Sequence, residues 1–351
     1  MELLRKTLQN IEPINAEFMK FAQKRLDSLT KPQGSLGRLE ETAKKICGIT
    51  RKRNPHLDVK VVITMAADHG VTDEGISAYP KEVTPQMVYN FIKGGAGINV
   101  LARHIGAKVI VVDVGVAADL EQSDGLVSHK VGYGTKNMAK GPAMTEDEAV
   151  SCVEAGIEIA QAEIEKGANI IGTGDMGIGN TTASSAVTAV ITGADVSNIT
   201  GKGTGIDDKK LEHKISVIRK TLEINKPDRE KALDVLSKVG GFEIGGIAGV
   251  ILACASNKIP VVIDGFISGA GALIAYALDP KTADYMIASH LSVECGHKTI
   301  LDHIGLKPLF DLDLRLGEGT GAALGIGFCD ASLKILNEMA SFKEAGVSEK
   351  Q

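Results

Sequence analysis

Tryptophan is absent from this chain, and aromatic residues together make up only 4% of it. Platforms that stack single-stranded nucleic acid need such rings, so that class is disfavoured from the outset. Basic charge is not in excess either. The formal net charge is −5 and no basic stripe stands out, which removes the broad electrostatic footprint of a nucleic-acid binder. An anionic substrate would have to be held by local donors. Cysteines are few: Cys47, Cys152, Cys254, Cys295 and Cys329 are scattered, form no Cys-x-x-Cys pair, and read as reduced thiols of a reducing compartment. No uninterrupted apolar run reaches membrane-spanning length. The opening Met1-Glu-Leu-Leu-Arg-Lys6 is amphipathic and lacks the apolar stretch of a signal peptide. These absences predict a cytoplasmic protein with no membrane and no nucleic-acid partner.

What is present is ordinary for a globular chain of 351 residues: 44% apolar, 24% charged. Glycine is the exception. Its 40 copies are aperiodic and cluster beside apolar runs, where they suit tight turns and backbone brought close to a ligand.

Residues 1–55 carry apolar residues at helical spacing, broken at Lys31-Pro-Gln-Gly-Ser35. The pattern then changes. Short β-branched runs at Val59–Met65, Lys108–Val112, Asn169–Ile171, Ile259–Ile263 and Tyr285–Ala288 read as buried strands. Helical stretches near 86–105, 146–166, 208–222, 242–256 and 267–278 lie between them. Such alternation predicts an α/β fold with a Rossmann-like, doubly wound parallel sheet. A last helix, near 320–341, is expected to join the N-terminal helices in a small helical domain (1–55 plus 325–351) beside a large one (56–324). The tail Glu344–Gln351 is expected to fray.

Polar or glycine residues follow nearly every strand: Asp68-His-Gly70, Asp113-Val-Gly115, Gly172-Thr-Gly-Asp175, Asp264-Gly265 and Ser289-His290. Ligands of open parallel sheets bind outside the carboxyl ends of the strands, so these ends predict a common crevice. Singly, each reads as a cap or a turn.

Three constellations bear on chemistry. Gly172-x-Gly174-x-x-Gly177, with Asp195 downstream, has the spacing of a dinucleotide fingerprint and would suggest an NAD-dependent dehydrogenase. In so glycine-rich a chain it matches easily by chance, and it normally belongs to the first strand–helix unit, whereas here at least two strands precede it. A phosphate held at the helix start without a dinucleotide is the other reading. In Leu314-Arg-Leu-Gly-Glu318-Gly-Thr-Gly321 a carboxylate stands between glycines at the entry to an apolar helix. Glu318 is there either a general base or a first-turn acid favoured by the helix dipole. The cluster His290, Cys295, His297, Asp302 and His303 has no orthodox zinc spacing, so no metal is expected. Ser289, His290 and Ser292 read instead as hydrogen-bond donors at a turn. No P-loop, nucleophile elbow or kinase signature occurs.

Taken in order, several segments resemble the nicotinate-nucleotide–dimethylbenzimidazole phosphoribosyltransferase family. They are Lys31–Glu40, Ala67–Val71, Gly174-Asp-Met-Gly-Ile-Gly-Asn-Thr-Thr182, Ser237–Glu243, Leu252–Phe266, Ser289-His-Leu-Ser292 and Arg315–Leu324. The resemblance implies a dimer without cofactor or metal. It implies transfer of phosphoribosyl from nicotinate mononucleotide to an aromatic acceptor, giving an α-linked ribotide and nicotinate for the lower ligand of a cobamide. Glu318 matches the family's catalytic base, with Asp175 a candidate second carboxylate. Gly174, Met176, Gly177, Gly179, Asn180, Gly203, Lys214, Asp264, Ser292, Arg315, Leu316 and Gly317 fall where the family holds the nucleotide and its phosphate.

Two departures matter. Asp175 stands where the family usually has Glu. Tyr79 and Met87 stand where benzimidazole-using relatives tend to carry Ser and Gln, with Gln86 next door able to restore the amide after a one-residue shift. These acceptor-pocket changes raise a phenolic acceptor, phenol or p-cresol joined through oxygen, with the chain working in a heterodimer with a paralogue rather than a homodimer.

Overall fold

The computed structural model describes residues 1–203 and 205–348. Six of its segments form one sheet: β1 (Lys60–Ala67), β2 (Ala107–Gly115), β3 (Leu126–Ser128), β4 (Ile170–Met176), β5 (Val261–Ile263) and β6 (Met286–Ala288). All neighbours pair in parallel, in the order β3-β2-β1-β4-β5-β6. This is the doubly wound α/β order, and it reverses direction between β1 and β4. Ligands of such sheets bind in the crevice at that switch point.

The alternation of side chains along β1 divides the core in two. Val61, Ile63 and Met65 enter one apolar cluster, with residues of the helices Glu146–Glu165, Phe242–Ser256 and Phe266–Leu278. Val62 and Ala66 enter the other, with residues of Ala16–Asp27, Arg38–Thr50, Gly97–Ile105 and Thr320–Glu338. Burial on both faces explains why the strands read as continuous apolar runs. Glycine sets the helix spacing on the first face. A Cβ on Gly156 would stand 1.9 Å from the Gly246 carbonyl oxygen, and one on Gly249 2.0 Å from that of Val153.

All five expected strands are present. The sheet also contains β3, a three-residue edge strand too short to show a period, and a separate parallel pair joins His290–Leu291 to Phe310–Asp311. The helical stretch expected at 86–105 is two helices, Val83–Ile92 and Gly97–Ile105, parted at Gly94, whose φ of 76° favours glycine. The helix expected after Gly177 is Asn180–Thr192, while Ala232–Val239 and Gly296–Ile304 are helices that the sequence pattern did not single out. Thr320–Glu338 packs on Ala16–Asp27 and Arg38–Thr50, and also on β4 and β5. Instead of fraying from Glu344, the chain forms a short helix, Phe342–Ala345. Its Ser341 and Glu344 make a reciprocal cap. The end of the expected frayed tail, residues 349–351, lies outside the described residues.

Candidate active site

A cavity of about 440 Å³ opens at the carboxyl ends of β4, β5 and β6, and Glu318 is part of its wall. Three successive residues there have left-handed backbone: Gly317 (φ 80°), Glu318 (φ 65°) and Gly319 (φ 99°). For a residue with a side chain that conformation costs roughly 1–2 kcal/mol, and it is met chiefly where surrounding structure over-determines it. Here the constraints are visible. The Glu318 carbonyl accepts from Thr64 Oγ1 of β1 at 2.9 Å. The next peptide N–H, of Gly319, donates to Asp264 Oδ2 at 3.0 Å. The Glu318 carboxylate itself accepts from Ile98 N, at the start of the Gly97–Ile105 helix, at 3.1 Å. Gly97 makes room for it, since a Cβ there would stand 3.3 Å from Oε2. Only 6% exposed, the Glu318 side chain has its pKa pushed above the ordinary glutamate value by burial, against the lowering pull of the Ile98 and Gly97 N–H groups.

Two further carboxylates lie close by. Asp175, buried at the end of β4, has its pKa raised well above the usual range, first by burial and then by the charges of Asp264, Glu243 and Glu318. Its Oδ2 accepts from Asn180 Nδ2 at 3.2 Å, while its Oδ1 is buried without a partner among the described residues. Asp264 sits behind the wall. Its two oxygens accept from Gly319 N and Ala322 N, each at 3.0 Å, so it braces the Glu318 turn and the start of Thr320–Glu338. Burial raises its pKa to about 7, against the lowering effect of those N–H groups.

The turn Met176–Gly179 leads into the helix Asn180–Thr192, whose start is of the kind that suits an anion. Met176, Gly177 and Asn180 line the main cavity, as do Gly203, Ser292, Arg315, Leu316 and Gly317. Gly179 and Lys214 line a small recess that shares Gly177, Asn180 and Gly203 with it. Lys214 Nζ donates to Thr181 Oγ1 at 2.8 Å, and burial pulls its pKa down to about 8. Arg315 Nη1 donates to the Gly203 carbonyl at 3.2 Å, which ties the two loops together.

Gly174 does not reach the cavity, and the reason corrects the dinucleotide reading. Gly172 and Gly174 belong to strand β4 and not to a phosphate loop. A Cβ on Gly172 would meet Ala322 at 3.1 Å, and one on Gly174 would meet the Glu318 carbonyl oxygen at 2.3 Å. These glycines let the Glu318 turn lie against the sheet. Asp195, the supposed ribose acid, caps the short helix Val196–Ile199 through Ser197 N.

A second, larger cleft of about 570 Å³ lies at the ends of β2 and β3. Its one lysine, Lys130, is already paired with Asp113 at 2.9 Å, and its wall includes three aspartates, which suits an anionic substrate poorly.

Comparison with known proteins settles the family. A phosphoribosyltransferase family model matches residues 11–347. A nicotinate-nucleotide–dimethylbenzimidazole phosphoribosyltransferase of Geobacter sulfurreducens is 56% identical over 99% of both chains. One of the same name from Chloroflexus aggregans is 57% identical over 100% of this chain and 99% of its own. A crystal structure of the Thermus thermophilus protein of that name superposes with a TM-score of 0.91 at 43% identity, covering 96% of this chain and all of the other. The chain belongs to the nicotinate-nucleotide–dimethylbenzimidazole phosphoribosyltransferase family.

It is therefore a phosphoribosyltransferase and not a dehydrogenase. The names of these relatives carry dimethylbenzimidazole, and nothing in them supports the phenolic alternative. Tyr79, Val83 and Met87 form part of the wall of the cavity that Glu318 lines. Tyr79 is 53% exposed. Met87 lines the cavity and Gln86 does not. Sequence reasoning missed Phe266, Glu294 and Gly97, and treated His290 only as a turn residue. Phe266, which opens the helix after β5, was already visible in the matching segment that ends on it. Gly97 carried no signal, because its role depends on a carboxylate far along the chain. Among the described residues no group of three or more His, Cys, Asp or Glu could hold a metal, and no helix is long and apolar enough to cross a membrane.

Proposed function

We propose that the chain transfers the 5-phosphoribosyl group of nicotinate mononucleotide to dimethylbenzimidazole, giving the α-linked ribotide and nicotinate for cobamide lower-ligand assembly. The observation that carries this reading is Glu318: a nearly buried carboxylate with elevated pKa, lining one cavity together with the residues of a helix start and with Met87, Val83 and Tyr79. The phosphate sits on the Met176–Asn180 turn with Lys214 behind it, and Arg315 and Gly203 close that end. The acceptor ring lies against Met87, Val83 and Tyr79, where a thioether offers a soft apolar contact.

The bond from C1′ to the pyridinium nitrogen breaks and its electron pair returns to nicotinate, which leaves neutral at that nitrogen. The acceptor's ring nitrogen attacks C1′ from the opposite face, so configuration inverts, and Glu318 takes the proton from the acceptor. General-base assistance contributes about 10²–10⁴-fold, and holding both reactants in line contributes at least as much. Burial and the neighbouring carboxylates favour the protonated form of Asp175, which limits the negative charge beside Glu318. The family resemblance further supports a dimer in the cytoplasm. The packing of Ala16–Asp27, Arg38–Thr50 and Thr320–Glu338 on one another supports residues 1–55 and 325–351 as a small helical domain beside 56–324.

The test is a competition. Purified protein is given nicotinate mononucleotide with equal dimethylbenzimidazole and p-cresol, and the products are separated. The N-linked ribotide and stoichiometric nicotinate are expected; an O-linked product, or no transfer to either, contradicts the assignment.

A further inference from the structure

His290 lines the same cavity as Glu318 and has no part in the proposed transfer step. Its ring is held in a slot cut by two glycines. A Cβ on Gly321 would stand 2.0 Å from Nδ1, and one on Gly265 3.6 Å from Cε1 and 3.7 Å from Nε2.

The hydrogen bonds around the ring fix its tautomer. Nδ1 lies 3.0 Å from Ser289 Oγ. That hydroxyl has one proton and faces two carbonyl oxygens, of Ile263 at 2.7 Å and Asp264 at 3.2 Å. Carbonyls cannot donate. Were the proton given to Nδ1, both carbonyls would face hydroxyl lone pairs, the nearer at 2.7 Å. With the proton on the Ile263 carbonyl, the Ser289 oxygen accepts from Nδ1–H. Nε2 is then a bare lone pair. It has no partner among the described residues, and it lies on the side of Gly265, itself part of the cavity wall. Protonation does not fill it near neutral pH, because burial brings the imidazole pKa down to about 4, with Asp311 opposing only in part. A neutral acceptor makes a poor phosphate clamp and needs a donor from the ligand.

Nicotinate mononucleotide has few. Its phosphate and its ring carboxylate are anionic acceptors, and only the ribose hydroxyls carry donor hydrogens. We propose that His290 Nε2 accepts a hydrogen bond from a ribose hydroxyl of the bound nucleotide, and so distinguishes ribosyl from deoxyribosyl donors. This deepens the nucleotide reading above and rests on it. His290 thus donates within the turn from Nδ1, as the sequence predicts, and accepts at Nε2, while Ser289 and Ser292 donate to the Ile263 and Leu314 carbonyls.

The test compares kcat/KM for nicotinate mononucleotide and its 2′-deoxy and 3′-deoxy analogues, in wild type and in His290→Ala, with dimethylbenzimidazole saturating. Removing one side of a buried hydrogen bond costs roughly 1–3 kcal/mol, so wild type should lose about 5- to 150-fold on one of the analogues. His290→Ala should lose a similar factor on the parent nucleotide and nothing further on that analogue. Equal losses on all three nucleotides overturn the proposal. Should His290→Ala fail to fold, ¹⁵N NMR of histidine-labelled wild type decides. A bare Nε2 near neutral pH that shifts on adding nicotinate mononucleotide upholds the proposal, and a protonated or unresponsive Nε2 overturns it. If wild type turns over none of the nucleotides, the transferase reading fails, and the same titration still decides the role of His290.

Discussion

Glu318 combines three properties that pull against one another: left-handed backbone, burial, and a charge that the proposed mechanism requires. Its raised pKa gives a signed expectation. Activity needs the carboxylate, so kcat/KM should fall as pH drops through the Glu318 pKa, and that limb should lie above the roughly 4.3 of an ordinary glutamate. Glu318→Gln should cut turnover at least about a hundredfold, abolish the limb and leave nucleotide affinity nearly intact, as steady-state kinetics and a binding titration would show. Asp175 gives a stability counterpart. Its folded pKa is raised above the unfolded value, so its contribution is complete below the unfolded pKa and is lost as pH rises through the folded one. Asp175→Asn should therefore melt at a higher temperature than wild type at pH 8, the advantage shrinking towards pH 4. A pH-independent difference in melting temperature would show that the shift is not the cause. The residue scale was partly legible. A carboxylate between glycines announced Glu318, but the brace from Asp264 and the slot holding His290 depend on contacts between distant segments that no local spacing encodes.

Among the elements, β4 illustrates why a motif can match and still mislead. The spacing Gly172-x-Gly174-x-x-Gly177 is real, yet its first two members serve close packing on the Thr320–Glu338 helix and the Glu318 turn. Gly174→Ala should push the Glu318 carbonyl away from the strand. Since a displacement of about 1 Å can cost on the order of 10²-fold in rate, a loss of that size in kcat is expected. Gly156→Ala, in the helix pair on the opposite face, should lower stability by roughly 1–3 kcal/mol through overpacking and leave kcat unchanged. Calorimetry and steady-state rates on the two variants separate the effects; equal loss of kcat in both would contradict the role given to Gly174. The long elements were legible because they repeat their signal: five buried strands and the helices 146–165 and 242–256 fall where their periodicity puts them. β3 and the two-residue strands were not, since two or three residues show no period and are fixed by their neighbours.

For the whole molecule, the strand order explains where the chemistry sits. The reversal between β1 and β4 opens a crevice, and Glu318 bridges it, its carbonyl bonded to Thr64 of β1 and its chain lying on Gly174 of β4. Strand–helix alternation foretold the parallel sheet, but the order of strands, and hence the switch point, follows from tertiary pairing alone. The most direct measurement is a crystal structure of the protein with nicotinate mononucleotide and dimethylbenzimidazole bound. The account predicts the phosphate on the Met176–Asn180 turn and the Glu318 carboxylate within about 2.6–3.2 Å of the acceptor's ring nitrogen. Glu318 turned away from both substrates, or the nucleotide seated instead in the acidic cleft at the ends of β2 and β3, would contradict it.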